Sequence, residues 1–292
     1  MIIIPSRSEA AGLADGYRRV PVAGVMPSDG IEPSDCFLKL KRLSKQCFVL
    51  ESMEDESDTG RYTFLGYDPK MELTGKDGSL VIRGGADIEI QTDDPGAQIR
   101  KVIADNISPR VPELPPFTGG LVGYFSYDYI TYSEPTIDLG EDDVAAFRDV
   151  DLMLFDKLIA FDRFEKNIYL IVNIRTDAVD ENYNRALGEI EHMSRIITGG
   201  EMVEPEKLRL TSEWKPMFGK DLYCDMVRRA KRYIHEGDIF QVVLSNRLEC
   251  DAEGSLFESY RAMREANPSP YMFYFSSDDI EIAGAAPETL VK

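Results

Sequence analysis

One amide side chain interrupts an otherwise apolar run in the last quarter of the chain. Residues 237–247 read GDIFQVVLSNR, so Gln241 lies between Phe240 and Val242. The β-branched and apolar residues over 239–244 predict a buried strand. A buried amide without a partner costs about 1–3 kcal/mol, so Gln241 requires a hydrogen-bond partner or a ligand if this strand is buried. An edge strand with Gln241 facing water is the alternative, and these residues alone leave it open.

Two more segments carry side chains that suit a binding or catalytic site. Residues 267–272 read NPSPYM, in which Pro268 and Pro270 restrict the backbone around an aromatic and a thioether side chain. Residues 284–292 read GAAPETLVK, with Glu288 directly after a proline. This glutamate is either the first-turn acid of a helix, favoured by the helix dipole, or an acid used in chemistry. Both interpretations can hold together.

The elements around these segments follow from periodicity. Apolar residues three or four apart predict a helix over 221–236, and Gly237 is placed to end it in the left-handed conformation. A second helix is predicted over 255–266, before Pro268, and two strands over 271–275 and 280–283. The site-bearing segments are therefore expected on strands and on the loops between them.

Upstream, the sequence predicts mostly strands that pair as hairpins, with a helix between groups of them. Strands are expected at 17–22, 47–51, 61–66, 121–127, 152–162 and 167–173, hairpins over 71–90, and helices at 35–45, 97–107 and 177–197. Gly119 and Gly120 either let the backbone pass close to another element or act as a hinge. The fold class predicted is α+β, with mainly antiparallel sheets packed with helices.

Domain boundaries are predicted where periodicity gives way to Pro- and Gly-containing segments. Residues 1–35 are irregular, 36–198 form an N-terminal domain, 199–219 form a linker, and 220–292 begin a second domain.

Composition and net charge indicate which classes of molecule this protein is expected to bind and where it is expected to be located. The hydrophobic fraction of 43% and the charged fraction of 29% are those of a globular protein. The net charge of −19 opposes binding to nucleic acid and to anionic membranes. The four cysteines form no CxxC pair, which predicts free thiols in a reducing compartment. No apolar stretch reaches about 18 residues and the N-terminal MIII is too short for a signal peptide, so the expected location is the cytoplasm.

Taken together, these segments resemble the chorismate-utilising enzymes, and within them the large subunits (component I) of anthranilate synthases. Upstream, FVLES (48–52), GRYTFLGYDP (60–69) and PPFTGGLVGYFSYD (115–128) resemble the same family. The resemblance runs from about residue 47 to the end, but full-length members continue well past Lys292. The chain thus resembles an N-terminal part, which is expected to be inactive alone.

The resemblance implies roles for Gln241 and Glu288. Family members that add water to the ring have lysine as a general base at the position of Gln241, whereas members that add ammonia have glutamine. Water must lose a proton to attack, but neutral ammonia attacks as it stands. Glu288 matches the acid that protonates the leaving 4-hydroxyl, a role that requires burial to raise its pKa. Ala286 replaces the serine usual before this Pro-Glu pair.

The resemblance also implies a pocket for L-tryptophan, the feedback inhibitor. Carboxylate and hydroxyl oxygens suit its ammonium group, a basic residue suits its carboxylate, and aromatic and thioether side chains suit its indole. The residues carried over are Leu50, Glu51, Ser52, Arg61, Asn267, Pro270, Tyr271 and Met272. The alternative for Glu51 and Ser52 is that they merely end a strand.

The function expected from the resemblance is conversion of chorismate and ammonia to anthranilate and pyruvate in tryptophan biosynthesis. Ammonia would come from glutamine through a partner amidotransferase subunit. Mg²⁺ is the implied cofactor, with its ligands expected beyond residue 292 and none within this chain. The alternatives are a non-catalytic tryptophan-binding module and an aminodeoxychorismate synthase component; Gln241 in place of lysine argues against isochorismate synthesis.

Overall fold

The computed structural model describes residues 1–52, 60–137, 147–199 and 203–288. The chain divides into two compact units. The first contains Met1–Glu204 together with Tyr260–Lys292, and the second contains Pro205–Ser259.

Strands and helices alternate along the chain in short groups. The strands are β1 (Ile2–Ile4), β2 (Arg19–Pro27), β3 (Cys47–Glu51), β4 (Tyr62–Tyr67), β5 (Met71–Lys76), β6 (Ser79–Arg83), β7 (Ile88–Gln91), β8 (Gly120–Phe125), β9 (Val150–Phe155), β10 (Lys157–Asp162), β11 (Asn167–Arg175), β12 (Arg209–Leu210), β13 (Lys215–Pro216), β14 (Leu248–Glu249), β15 (Ala252–Glu253), β16 (Tyr271–Ser276) and β17 (Glu281–Ala286). The helices are α1 (Arg7–Leu13), α2 (Pro33–Leu43), α3 (Pro95–Asp105), α4 (Val179–Thr198), α5 (Lys220–Glu236) and α6 (Phe257–Ala266), with short 3₁₀ helices at Tyr127–Tyr132 and Thr176–Ala178.

The first unit contains an eight-stranded antiparallel sheet. Its spatial order is β1-β2-β11-β10-β4-β3-β16-β17. β10 and β11 form a hairpin of β-branched and aromatic residues that are mostly buried, as the sequence predicts for adjacent strands at this point. Helix α4 packs on β11 and β2 through an apolar stripe that includes Ala186, Ile190 and Met193. The amphipathic pattern over 177–197 therefore predicts this helix correctly.

A second sheet of the first unit packs against the eight-stranded sheet. It has five antiparallel strands in the order β7-β6-β5-β9-β8. Phe48 of β3, Phe275 of β16 and two residues of β9, Met153 and Phe155, form a shared buried cluster. The rings of Phe48 and Phe155 meet edge to face, with centroids 4.8 Å apart. Strands from both sheets therefore share one aromatic core.

Gly119 lies where two backbone segments approach closely. Its φ is +148°, and a Cβ there would meet Nδ2 of Asn173 at 2.5 Å and the carbonyl oxygen of Phe155 at 2.9 Å. Of the two interpretations that the sequence left open for Gly119, close approach is the one that the structure shows. The absence of a side chain lets β8 begin alongside β9.

The second unit has helix α5 and two small sheets, in which β12 pairs with β15 and β13 with β14. Helix α5 ends at Gly237 in the left-handed conformation, with φ of 85°, as predicted. The strand predicted over 239–244 is not formed, and Phe240 and Val243 are 92% and 83% exposed. Apolar composition alone does not make a strand, because a strand also needs a neighbour to hydrogen-bond with.

That neighbour is absent in the described part of the second unit. Strand β13 pairs with β14, which follows α5 in the chain. The last contact of this pairing is a hydrogen bond from the backbone N–H of Phe218 to Oδ1 of Asn246. Residues before Asn246 have no strand partner among those described.

The α+β class with mainly antiparallel sheets is confirmed. The predicted linker, residues 199–219, contains β12 and β13, and β16 and β17 join the sheet of the first unit. None of the helices in the described ranges combines the length and the apolar composition that a membrane crossing requires.

Candidate functional site

Antiparallel pairing of β3 with β16 brings two distant motifs to one place. In this register Glu51 lies opposite Met272, and Leu50 lies opposite Phe273. Strand β3 carries the first four residues of FVLES, and β16 begins with the last two residues of NPSPYM. Side chains directly opposite in an antiparallel pair lie about 4.5–5.5 Å apart at Cβ, so residues of the two motifs are neighbours.

A cavity of about 560 Å³ opens between the two sheets at this point, and we call it the inter-sheet cavity. Six of its lining residues are among those predicted for a tryptophan pocket: Leu50, Glu51, Ser52, Pro270, Tyr271 and Met272. The remaining lining residues are mostly aromatic or aliphatic: Tyr62, Phe64, Phe117, Leu121, Val122, Gly123, Phe125, Leu152 and Phe273. A largely apolar wall with a few polar groups at one edge is the usual form of a small-molecule site.

The polar edge of the inter-sheet cavity is organised by Glu51. Its Oε1 accepts a hydrogen bond from the Tyr260 hydroxyl at 2.5 Å and lies 2.9 Å from Nε of Arg264. Its Oε2 accepts from Nη2 of Arg163 at 2.8 Å. Both oxygens of this buried carboxylate therefore already have partners, and one acid joins β3, α6 and the β10–β11 turn.

Burial also sets the protonation of Tyr260. The phenol is 2% exposed, and burial raises its pKa above the ordinary value, with the neighbouring Glu51 carboxylate acting in the same direction. Tyr260 therefore stays protonated and keeps its role as a hydrogen-bond donor to Glu51.

Arg163, which the sequence reasoning missed, is one of two cations beside Glu51, the other being Arg264. Nη1 of Arg163 donates to the carbonyl oxygen of Ser52 at 3.1 Å and its Nη2 to Oγ1 of Thr63 at 3.1 Å. It lies in the turn after β10, and its position follows from the β3–β4–β10 register, which no local sequence signal reveals.

Arg61, the basic residue predicted for the pocket, does not line the inter-sheet cavity. Its guanidinium donates to the buried carboxylate of Asp162, at 2.9 Å from Nε and 2.6 Å from Nη2. The hydrogen bond to Asp162 raises the pKa of Arg61 above its ordinary range. Asn267 also lies outside the cavity lining; it is exposed, and its backbone N–H donates to the carbonyl of Met263 at the end of α6.

Gln241 and Glu288 are both exposed among the residues described. Gln241 lies after α5 in a segment without regular secondary structure, and Glu288 follows β17 in a bend. The burial expected of these two side chains is therefore not found. For Gln241 the physical reason is the missing strand partner described above.

The described residues do not provide a metal site. Within those ranges no group of three or more His, Cys, Asp and Glu side chains is placed to hold a metal ion. The Mg²⁺ that the family resemblance implies does not fit any set of residues that the structure describes, and we assign no chemical step to it.

Comparison with known proteins matches this arrangement to one family. The sequence profile of a family described as chorismate binding enzyme matches residues 45–292. The probable anthranilate synthase component 1 of Schizosaccharomyces pombe is 33% identical over 299 residues, covering 100% of this chain and 58% of that protein. Anthranilate synthase component 1 of Aquifex aeolicus is 34% identical over 295 residues, covering 98% of this chain and 59% of that protein.

A solved structure shows the same fold. Anthranilate synthase component I from Streptococcus pneumoniae superposes with a TM-score of 0.61 at 29% identity, covering 82% of this chain and 53% of that chain. The chain therefore spans 58–59% of the length of the two curated relatives.

Proposed function

The chain belongs to the family of chorismate binding enzymes, and from this premise we propose that it forms part of an enzyme that converts chorismate and ammonia to anthranilate and pyruvate. One observation carries the proposal. Identity of 33–34% extends over at least 98% of the chain to two proteins named as anthranilate synthase component 1.

The proposed reaction replaces a ring hydroxyl with an amino group. Ammonia attacks C2 of chorismate with its lone pair as the 4-hydroxyl takes a proton and leaves as water, and the new ammonium group loses a proton. The C2 hydrogen is then lost as a proton while the C3–O bond breaks, which makes the ring aromatic, and the released three-carbon enol takes up a proton to give pyruvate. Gln241 is assigned to the position where a water-adding enzyme needs a proton-abstracting amine. Glu288 is assigned as the acid that protonates the departing hydroxyl. Both roles require that further residues cover these two exposed side chains.

Product identification tests this proposal. A protein that extends this chain to the length of its relatives is incubated with chorismate, Mg²⁺ and ammonium, and the products are separated by mass. Anthranilate and pyruvate are expected. Isochorismate would refute the role of Gln241, and aminodeoxychorismate would move the protein to the alternative branch. The chain of 292 residues alone is expected to form no anthranilate.

A Glu288→Gln variant in the extended protein tests the acid. Loss of a general acid is expected to lower the turnover about 10²–10⁴-fold. Glu265→Gln is the matched control, because Glu265 is also an exposed glutamate but lies on α6. Equal turnover in the two variants would remove Glu288 from the mechanism.

For the nitrogen source, we assign a separate glutamine amidotransferase subunit as the partner. Co-purification with that subunit should make glutamine as effective a donor as ammonium. Activity with ammonium but none with glutamine, measured with the partner present, would contradict the assignment.

The inter-sheet cavity is assigned to L-tryptophan as a regulatory ligand. Its volume of about 560 Å³ lies within the roughly 300–1,000 Å³ of typical small-molecule sites, and its apolar walls suit an indole. Ser52 and Glu51 supply polar atoms at one edge, and Arg163 supplies positive charge next to them. Because both oxygens of Glu51 already accept from protein groups, we infer that Glu51 mainly holds this edge in place.

Calorimetry with L-tryptophan tests this ligand on the chain itself. Tyr271→Ala is expected to weaken binding about tenfold, equivalent to about 1.4 kcal/mol. Tyr233→Ala is the matched control, since Tyr233 is 36% exposed and Tyr271 is 39% exposed, but Tyr233 lies on α5, outside the cavity lining. Tryptophan binding without any activity of the extended protein would favour the non-catalytic sensor, and absence of binding would contradict the regulatory assignment.

A further inference from the structure

A second cavity, of about 410 Å³, lies elsewhere in the first unit, and we call it the arginine cavity. Its lining residues lie mostly at the beginnings of β2 and β5 and at the ends of α3 and β11. Four cationic side chains contribute to its wall: Arg18, Arg19, Lys70 and Arg175. This concentration of positive charge is unexpected in a chain with a net charge of −19.

Arg19 is the buried member of this group. It is 9% exposed, and its Nε donates to Oδ1 of Asn106 at 3.1 Å. Across the ranges that the structure describes, its two terminal nitrogens have no hydrogen-bond partner and no carboxylate lies within 4.0 Å of the guanidinium. Burial lowers the pKa of Arg19 from its ordinary value. A buried charge with so few partners is costly unless something else compensates it.

The neighbouring charges act in both directions: Asp156 and Asp177 favour the charged guanidinium of Arg19, whereas Arg175 opposes it. In the β2–β11 pair, Arg19 lies directly opposite Arg175, and like charges at opposed positions destabilise a sheet. The nearby carboxylates are already paired with other cations, since Asp105 lies 2.7 Å from Nη1 of Arg18 and Asp177 lies 2.6 Å from Nη2 of Arg175.

Lys70, the remaining cation of the wall, is likewise paired. Its Nζ lies 3.4 Å from Oδ2 of Asp156. Of the four lining cations, Arg19 is thus the one that has no carboxylate within 4.0 Å among the residues described.

We propose that the arginine cavity binds a small oxyanion, a carboxylate or a phosphate, through the terminal nitrogens of Arg19. The guanidinium fork presents parallel N–H donors that match two oxygens of such an anion. The flanking Arg18, Lys70 and Arg175 add favourable charge although each already has a carboxylate neighbour. This site is separate from the inter-sheet cavity, and the two share no lining residue.

Calorimetric titration of the 292-residue chain with inorganic phosphate, and separately with acetate, tests the proposal. Saturable binding of at least one anion to the wild type is expected, and the tighter of the two identifies the oxyanion class. Arg19→Met should weaken that binding about tenfold or more, the effect of losing a charge-assisted pair. Arg100→Met is the control, since Arg100 is an exposed arginine of α3 that is paired with Asp94. The affinity of this variant for the anion should equal that of the wild type.

The competing explanation is a general salt effect on an acidic protein. That effect would give heats that do not saturate, or equal binding by the wild type and Arg19→Met, and either result overturns the proposal. Lys70→Met gives a second variant that leaves the buried arginine in place, and it should weaken binding about threefold through lost charge. Unchanged affinity in both the Arg19 and the Lys70 variants would also overturn the proposal.

Discussion

Replacing Glu51 by Leu should destabilise the first unit more than the loss of one surface charge would. The carboxylate is 7% exposed and accepts from the Tyr260 hydroxyl and from Arg163, with Arg264 at 2.9 Å. Leucine keeps a similar volume but removes the acceptor of the Tyr260 hydroxyl, one of the acceptors of Arg163, and the carboxylate next to Arg264. The perturbation therefore tests whether one acid holds β3 and α6 together.

The size of the effect follows from the burial of each partner. A buried Tyr260 hydroxyl left without an acceptor costs about 1–3 kcal/mol. The side chains of Arg163 and Arg264 are 34% and 29% exposed, so water partly compensates them, and each contributes roughly 0–1 kcal/mol. We expect Glu51→Leu to lower the free energy of unfolding by about 1–5 kcal/mol. Glu51→Gln, which keeps an acceptor for Tyr260, should lose about half as much.

Urea unfolding of the four chains of a double-mutant cycle measures this. The cycle combines Glu51→Leu with Tyr260→Phe, which removes the hydroxyl that the leucine would leave unsatisfied. The double variant should be more stable than the sum of the single effects predicts, by about 1 kcal/mol or more. A Glu51→Leu variant within about 0.5 kcal/mol of the wild type, or strictly additive effects, would refute the reasoning.

Two further predictions concern the sheets of the first unit. Gly119→Ala should lower the free energy of unfolding in urea by about 1–3 kcal/mol, because φ is +148° and the new Cβ would meet Nδ2 of Asn173 at 2.5 Å; an unchanged midpoint would contradict the close approach. Burial raises the pKa of Tyr67 from 10.0 to about 12, so its contribution to stability is complete below pH 10 and is lost as pH rises toward 12. Unfolding measured over this pH range should therefore show a shallower decline for Tyr67→Phe, and identical pH profiles would contradict the prediction.

The strands and hairpins of the first unit could be predicted because their residues alternate or run apolar between clear turns. The predicted strand over 47–51 coincides with β3, and the strands predicted over 271–275 and 280–283 correspond to β16 and β17. Local pattern carries this information, since side chains of a strand alternate between two faces.

The register between strands could not be predicted in the same way. Arg61 and Arg163 both lie at the ends of strands near the pocket, and the sequence predicted Arg61 without indicating Arg163. The pairing of β4 with β10 places Arg61 where it hydrogen-bonds to Asp162, and places Arg163 where it hydrogen-bonds to Glu51. Which arginine lies beside Glu51 depends on long-range strand pairing, for which one sequence contains no local signal.

In the segment around Gln241, the local pattern predicts a strand that does not form. A strand forms only when a neighbour satisfies its backbone groups. Residues 239–244 have no such neighbour in the described part of the chain, so their β-propensity is not expressed. The domain boundaries and the catalytic roles predicted from the sequence stay predictions.

The source of the atom that enters the ring distinguishes an ammonia-adding enzyme from a water-adding one. Chorismate is supplied with ammonium labelled with a heavy nitrogen isotope to a protein that extends this chain to the length of its relatives, and the aromatic product is analysed by mass spectrometry. The expected product is anthranilate whose amine carries the label in full. A ring hydroxyl derived from solvent water, with no labelled amine, would contradict it.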